Sequence, residues 1–145
     1  MCGLSSTGLF AQSSVATIDK PAKLTIERGQ VAVGKITVAL RAGYHCNSNT
    51  PSDTYLIPLK LTWSPGALES VEIIYPPPKM EKYAFSPKPL SVYSGEFVIA
   101  TRFKAPAQAP SGDSIEQGKL RYQACTDQLC LPPRTIEVAL PVHVD

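Results

Sequence analysis

No stretch of this chain stays apolar for the roughly 18 residues that a membrane-spanning helix requires, so no helical span is expected. Charge of one sign is missing as well. Lys and Arg total 14 against 12 Asp and Glu, scattered along the chain for a net of +2. Such a surface advertises neither nucleic acid nor an anionic membrane as a partner. Histidine occurs twice, without a motif around either copy, which leaves a Ser-His-Asp arrangement unsupported. A glycine-rich phosphate loop and a G-x-S-x-G elbow are both absent. The carboxylates Asp53, Glu69, Glu81 and Asp127 read as surface charge, not as an acid/base pair. There is no internal repeat and no convincing amphipathic helix.

Proline, by contrast, is abundant. Its 14 copies in 145 residues are about twice the usual ~5%. Proline removes a backbone donor and breaks helix interiors, so this density favours short strands joined by ordered turns. The length is that of one ordinary domain, and an apolar content of 43% is globular. The first 19 residues differ: they are small, rich in Ser and Thr, and carry no charge before Asp19. Residues 1–19 are expected to be a signal remnant or flexible N-terminal tail, and residues 20–145 the folded domain.

Within that domain apolar residues alternate. In 55–63, Tyr55, Ile57, Leu59, Leu61 and Trp63 share a face; in 96–104, Phe97, Ile99 and Phe103 oppose Glu96, Arg102 and Lys104. In 134–144, Ile136, Val138, Leu140, Val142 and Val144 oppose Arg134, Glu137 and His143. Period 2 marks half-buried strands. Weaker candidates at 22–28, 31–40, 71–75 and 119–125 bring the total to about seven or eight, separated by turn clusters such as "SPG", "YPPP" and "PSGDS". Pro58 and Pro141 fall inside strand runs, which places those strands at an edge or a bulge. The expected architecture is all-β, an antiparallel sandwich of immunoglobulin-like kind. A closed barrel is the alternative. Short edges with prolines suggest a monomer.

The four cysteines are unevenly placed, with two of them in "YQACTDQLCLPP", residues 122–133. By alternation Leu120, Tyr122 and Ala124 share one face and Cys125 lies on the other, so Cys125 is expected to project away from the core. A four-residue turn, "TDQL", separates it from Cys130, which puts the sulfurs within bonding range if the chain reverses there. A bridge closing so short a loop contributes roughly 2 kcal/mol at most, less than one joining distant strands. Three readings stay open on these grounds: a redox-active pair, a passive bridge, and free or metal-bound thiols. A zinc set of His45, Cys46, Cys125 and Cys130 is weak, because adjacent residues on a strand point to opposite faces. It would need 45–46 to be a loop, and no metal is expected. His45 reads as a polar turn residue and His143 as a solvent-facing strand residue.

The cysteine segment resembles the active-site segment of the N-terminal periplasmic domain of the DsbD family of thiol–disulfide interchange proteins. "GYHCNSNTPSDTYLIPLKLTW" (43–63) and "YPPPKMEKYAFSPKPLSVYSGEFVI" (75–99) are similar to further segments of that family. The resemblance covers roughly residues 20–145. It implies an immunoglobulin-like domain with a reversible cysteine pair in a surface hairpin and no cofactor. A thioredoxin-like donor domain, itself supplied through a membrane-embedded domain, would deliver electrons to it. Periplasmic thioredoxin-fold oxidoreductases that isomerise disulfides or mature c-type cytochromes would accept them. The location implied is the periplasm of a Gram-negative bacterium, in or beside a membrane protein. On the resemblance, Cys125 and Cys130 are catalytic, with Cys130 joined to the partner and Cys125 resolving the mixed disulfide. Tyr83, Ala84 and Phe85 would form a cap loop over them, and Tyr44 would lie beside the pair. Two features depart from the pattern: the loop between the cysteines has four residues where some members have five, and Cys46 stands where many have an aliphatic or aromatic residue. Cys46 reads as a buried small hydrophobe or as a third thiol able to exchange. Asp127, inside the loop, opposes thiol ionisation. The competing function is an immunoglobulin-like binding or structural module with an inert bridge.

Overall fold

Strands with one apolar face bury it by packing against another sheet, and the long alternating runs here do so across a sandwich. The computed structural model of the protein describes residues 15–145 and has no helix among them. One sheet orders β1 (Ala16–Ile18), β3 (Val31–Leu40), β9 (Glu96–Lys104) and β6 (Glu69–Ile74). The facing sheet orders β2 (Leu24–Ile26), β12 (Arg134–Val144), β10 (Gly112–Tyr122) and β5 (Lys60–Trp63). A third, smaller sheet orders β11 (Ala124–Cys125), β4 (His45–Asn47), β8 (Leu90–Ser94) and β7 (Lys79–Glu81). The all-β, immunoglobulin-like sandwich expected from the alternation is the fold observed. It is not wholly antiparallel, because β2 runs parallel to β12.

The inward faces follow the alternation. Phe97, Ile99 and Phe103 on β9 are buried, as are Leu120 and Tyr122 on β10 and Val138, Leu140, Val142 and Val144 on β12. Ile36, Val38 and Leu40 of β3 meet Leu61, Leu120 and Val138 of the facing sheet in the main core. Cys46, Tyr93 and Ala124 of the third sheet join the same cluster. Trp63 ties the two large sheets together. Its Nε1 donates to Thr101 Oγ1 on β9 at 3.0 Å, and its ring meets Phe103 edge-on at 5.2 Å. The indole lies over Gly118, where any Cβ would come within 2.8 Å of Trp63 Cε3, so only glycine fits that rung.

Several boundaries differ from the sequence reading. The expected strand at 55–63 forms only from Lys60, and Tyr55 is 71% exposed while Leu56 is buried. Pro58 therefore precedes the strand instead of interrupting it. Pro141 lies within β12, opposite Ile115 of β10, immediately before the residues Val142–Val144 that pair with β2. Its missing donor thus costs no ladder bond on the β2 side. The fold also begins earlier than residue 20: β1 pairs with Val38–Leu40 of β3, and Val15 and Ala16 are buried in the core. Residues 1–14, with Cys2, lie outside the described residues.

One core position is chemically awkward. Glu116 on β10 is buried, and its Oε2 accepts from Leu68 N at 3.2 Å while Oε1 has no partner. Burial pushes its carboxyl above the usual range. The folded state therefore holds the proton more tightly than the unfolded one. The stabilisation from that difference is complete below the unfolded value of about 4.3 and is lost as pH rises through the folded value. Glu116→Gln keeps an acceptor for Leu68 and removes the charge. Its urea midpoint should gain on the parent's between about pH 4 and pH 7, and a constant difference across that range would contradict this account.

Candidate functional site

The cysteine hairpin begins where the chain leaves one sheet for another. β10 ends at Tyr122, and Gln123 makes the step. Its Oε1 accepts from Asn47 Nδ2 at 3.3 Å and Ile57 N at 3.4 Å, and its Nε2 donates to Leu131 O at 3.3 Å. The side chain thus pins both arms of the hairpin base to β4 and to the 48–59 segment. β11 then pairs with β4, Ala124 opposite Cys46 and Cys125 opposite His45.

The reversal is closed by its own threonine. Thr126 N donates to Leu129 O at 2.8 Å, and Thr126 Oγ1 accepts from the amides of Gln128 and Leu129, both at 3.2 Å. On the other side Leu131 N donates to Ala124 O at 2.8 Å. These bonds flank Cys125 and Cys130, which face each other as an isolated bridge and are joined by a disulfide, Cα to Cα 3.9 Å. Cross-strand positions lying between the hydrogen-bonded pairs are those where side chains come closest.

The two sulfurs do not share an environment. Cys130 is exposed, whereas Cys125 is only 1% exposed. Cys125 projects away from the main core as expected, but it is not exposed there, and the reason lies in what covers its face. Alternation does turn it away from the main core, which receives Ala124 and Cys46. Directly opposed residues share a face, so Cys125 sits with His45 on the other side of the third sheet. There the ring of Tyr83 stacks on His45 at 4.0 Å and 11°, and Phe85 stacks on Tyr83 at 5.6 Å and 16°. The outer face has a roof.

That roof is the loop 82–89 between β7 and β8. Ser86 N donates to Tyr83 O at 3.1 Å, closing a turn over Ala84 and Phe85, and Lys82 Nζ donates to Ser86 O. Tyr83 also packs on a small cluster of Leu56, Leu90 and Val92. Lys88 pairs with Asp53 at 3.1 Å, which fastens the loop to the neighbouring segment. Tyr83 and Phe85 thus lie on the side of Cys125, with Ala84 between them. Tyr44 is half-buried against the main core, next to His45 in sequence. Asp127 is exposed at the hairpin tip, yet its charge acts on both His45 and Tyr83. Burial lowers the His45 pKa, against the opposing pull of Asp127 and Glu81. Burial, followed by Glu81 and Asp127, raises that of the Tyr83 hydroxyl.

His45 is not the turn residue expected. It is the first residue of β4, 4% exposed, with Nε2 buried and lacking a hydrogen-bond partner. Because 45–46 is a strand, His45 and Cys46 face opposite sides and the Cys3His set is not assembled. His143 sits at the far end of β12, held by Asp113 at 2.7 Å and Asp145 at 3.0 Å. Sequence reasoning passed over Asn47 and Gln123 as well. Asn47 lies in "HCN", too short to show a period, and Gln123 in the one-residue step between two strands.

Cys46 is a free thiol, 1% exposed in the main core. Burial pushes its pKa up to about 12, with a backbone hydrogen bond at Tyr93 acting in the opposite direction. A thiol so placed is protonated at neutral pH and screened from reagents. Iodoacetamide should leave Cys46 unmodified in the folded protein and label it once urea unfolds the chain. Rapid labelling without denaturant, read by mass spectrometry, would show that the core face is open.

Residues 13–141 match the family described as "Thiol:disulfide interchange protein DsbD, N-terminal". No curated protein matches the chain. The N-terminal periplasmic domain of ScsB from Proteus mirabilis superposes with a TM-score of 0.58 at 14% identity. That alignment covers 97% of this chain and 49% of the ScsB domain, so the chain spans about half of its length. This likeness bears on the fold. The reduced DsbD N-terminal domain of Neisseria meningitidis gives a TM-score of 0.49 at 18% identity, over 75% of this chain and 76% of that one. With nearly all of the described fold matched, and the paired cysteines inside the match, the chain belongs to the DsbD N-terminal domain family.

Proposed function

We propose that this domain is a periplasmic thiol–disulfide interchange module that passes electrons through reversible opening of the Cys125–Cys130 bond. A thioredoxin-like donor domain would reduce the pair, and thioredoxin-fold proteins that isomerise disulfides or mature c-type cytochromes would be reduced by it. The domain then acts as a protein-disulfide reductase within a membrane-associated system in a Gram-negative bacterium. The two sulfurs themselves carry the electrons, so the step needs no cofactor.

The observation that carries this reading is the asymmetry of the pair. One sulfur-bearing residue is exposed at a hairpin edge and the other is enclosed beneath aromatic rings. Exchange proceeds through a mixed disulfide, so one sulfur must be reachable from outside and the second must be held ready to displace the partner. Cys130 suits the first role and Cys125 the second. Neither lies at a helix N-terminus, and Asp127 beside them disfavours thiolate. The partner's activated cysteine would then supply much of the reactivity. Tyr83 and Phe85 would act as a lid that shields Cys125 until a cognate surface displaces it.

Burial of Cys125 also supports a second reading, an immunoglobulin-like module with an inert bridge. Titration against a glutathione or dithiothreitol redox buffer separates the two. An exchange pair should equilibrate above about −300 mV, the level below which structural bridges typically lie. With Cys125→Ser, Cys130 should retain a thioredoxin-fold protein as a mixed disulfide on a non-reducing gel. Capture of nothing, together with a strongly reducing midpoint, would leave the inert bridge as the answer. For the lid, Tyr83→Ala should accelerate reduction by a small thiol more than Phe85→Ala does, since Tyr83 forms the inner layer. Rates unchanged in both would remove the shielding role.

A further inference from the structure

His45 has no assigned role in exchange, yet it occupies a buried position on the covered face. It stands directly opposite Cys125 in the two-rung β4–β11 ladder. Opposed Cβ atoms in such a ladder lie about 4.5–5.5 Å apart, which brings an imidazole within reach of a facing sulfur. Tyr83 stacks on its ring and the residue is 4% exposed, while Nε2 is buried without a partner. A buried polar atom left unsatisfied costs stability, and an imidazole could be replaced here by any flat apolar ring if stacking were its only duty.

Resting on the exchange function proposed above, we propose that His45 is the proton acceptor for the Cys125 thiol in the step that resolves the mixed disulfide. Cys130 thiolate attacks the acceptor's disulfide, forming the mixed disulfide and releasing one acceptor thiolate. Cys125 Sγ–H gives its proton to His45, and the Cys125 thiolate attacks the Cys130 sulfur. The bond between Cys130 and the acceptor breaks, and its electron pair leaves on the acceptor's second sulfur, which takes up a proton from the imidazolium or from water. Two electrons and the one proton of Cys125 have moved from the pair to the acceptor, whose first sulfur leaves as a thiolate in place of the Cys130 thiolate that was consumed.

The surroundings suit this duty. Desolvation keeps the imidazole neutral and able to accept. The groups that face it are Cys125 on β11, Tyr83 on the loop, Glu81 on β7 and Asp127 on the hairpin. The two carboxylates favour the cation once it has formed. Water, the usual acceptor, is kept away from Cys125 by its burial.

The test uses the reduced full chain and an aromatic disulfide whose thiolate product absorbs visible light. Stopped-flow mixing separates a first release, when Cys130 is captured, from a second, when Cys125 resolves. In the parent the second rate should be level with pH from about pH 7 to 8.5, because the proton moves internally. In His45→Gln it should fall at least about tenfold near pH 7 and climb about tenfold per pH unit, while the first release serves as control. Equal second rates in parent and variant would overturn the proposal. So would a parent rate that itself climbs tenfold per unit, a measurement that needs no folded variant. Failure of Cys125→Ser to capture a partner would instead count against the exchange function, leaving the second release intact.

Discussion

The pairing of Cys125 with His45 across β4 and β11 governs everything near the disulfide. It is only two rungs long, and alone it would not persist. Gln123 supplies what the backbone lacks, bonding at once to Asn47, Ile57 and Leu131. A polar side chain held on three sides fixes where the chain crosses from the second sheet to the third. Shift that crossing by one residue and Ala124, not Cys125, would stand on the roofed face. Register is therefore the quantity on which the accessibility of each sulfur depends.

From that register the division of labour between faces follows. Ala124, Cys46 and Tyr93 turn toward the sandwich and complete its core. Cys125, His45, Leu90 and Val92 turn the other way and would be wet if the segment carrying Tyr83 and Phe85 did not fold back over them. The third sheet is thus buried on both sides with different materials, packed aliphatics on one and stacked rings on the other. The proposed exchange chemistry would lie on the second.

The contrast in burial explains which parts of the fold were legible in the amino-acid sequence. β3, β9 and β12 show one face to solvent and one to the core, so their composition alternates and their positions could be read directly. β4 and most of β8 are buried on both faces, and their burial carries no period. β1 and β7 are three residues each, shorter than any window in which periodicity can be counted. Tyr55 was misplaced because alternation across Pro58 assumed a strand that the proline prevents. At the site, the cysteine hairpin could be read from spacing, whereas His45 could not. The role proposed for it comes from the residue opposite it, and pairing partners are a property of the folded topology.

Through Tyr83 the loop 82–89 rests on its own small cluster of Leu56, Leu90 and Val92, on the far side of the third sheet from the main core. Lifting it disturbs few contacts that hold the sandwich shut, so local opening and global unfolding draw on different interactions. Under the lid role proposed above, a change at Tyr83, on the loop's side of that contact, would alter how often Cys125 is reached at less cost to the fold than a change at the fully buried Leu90 or Val92.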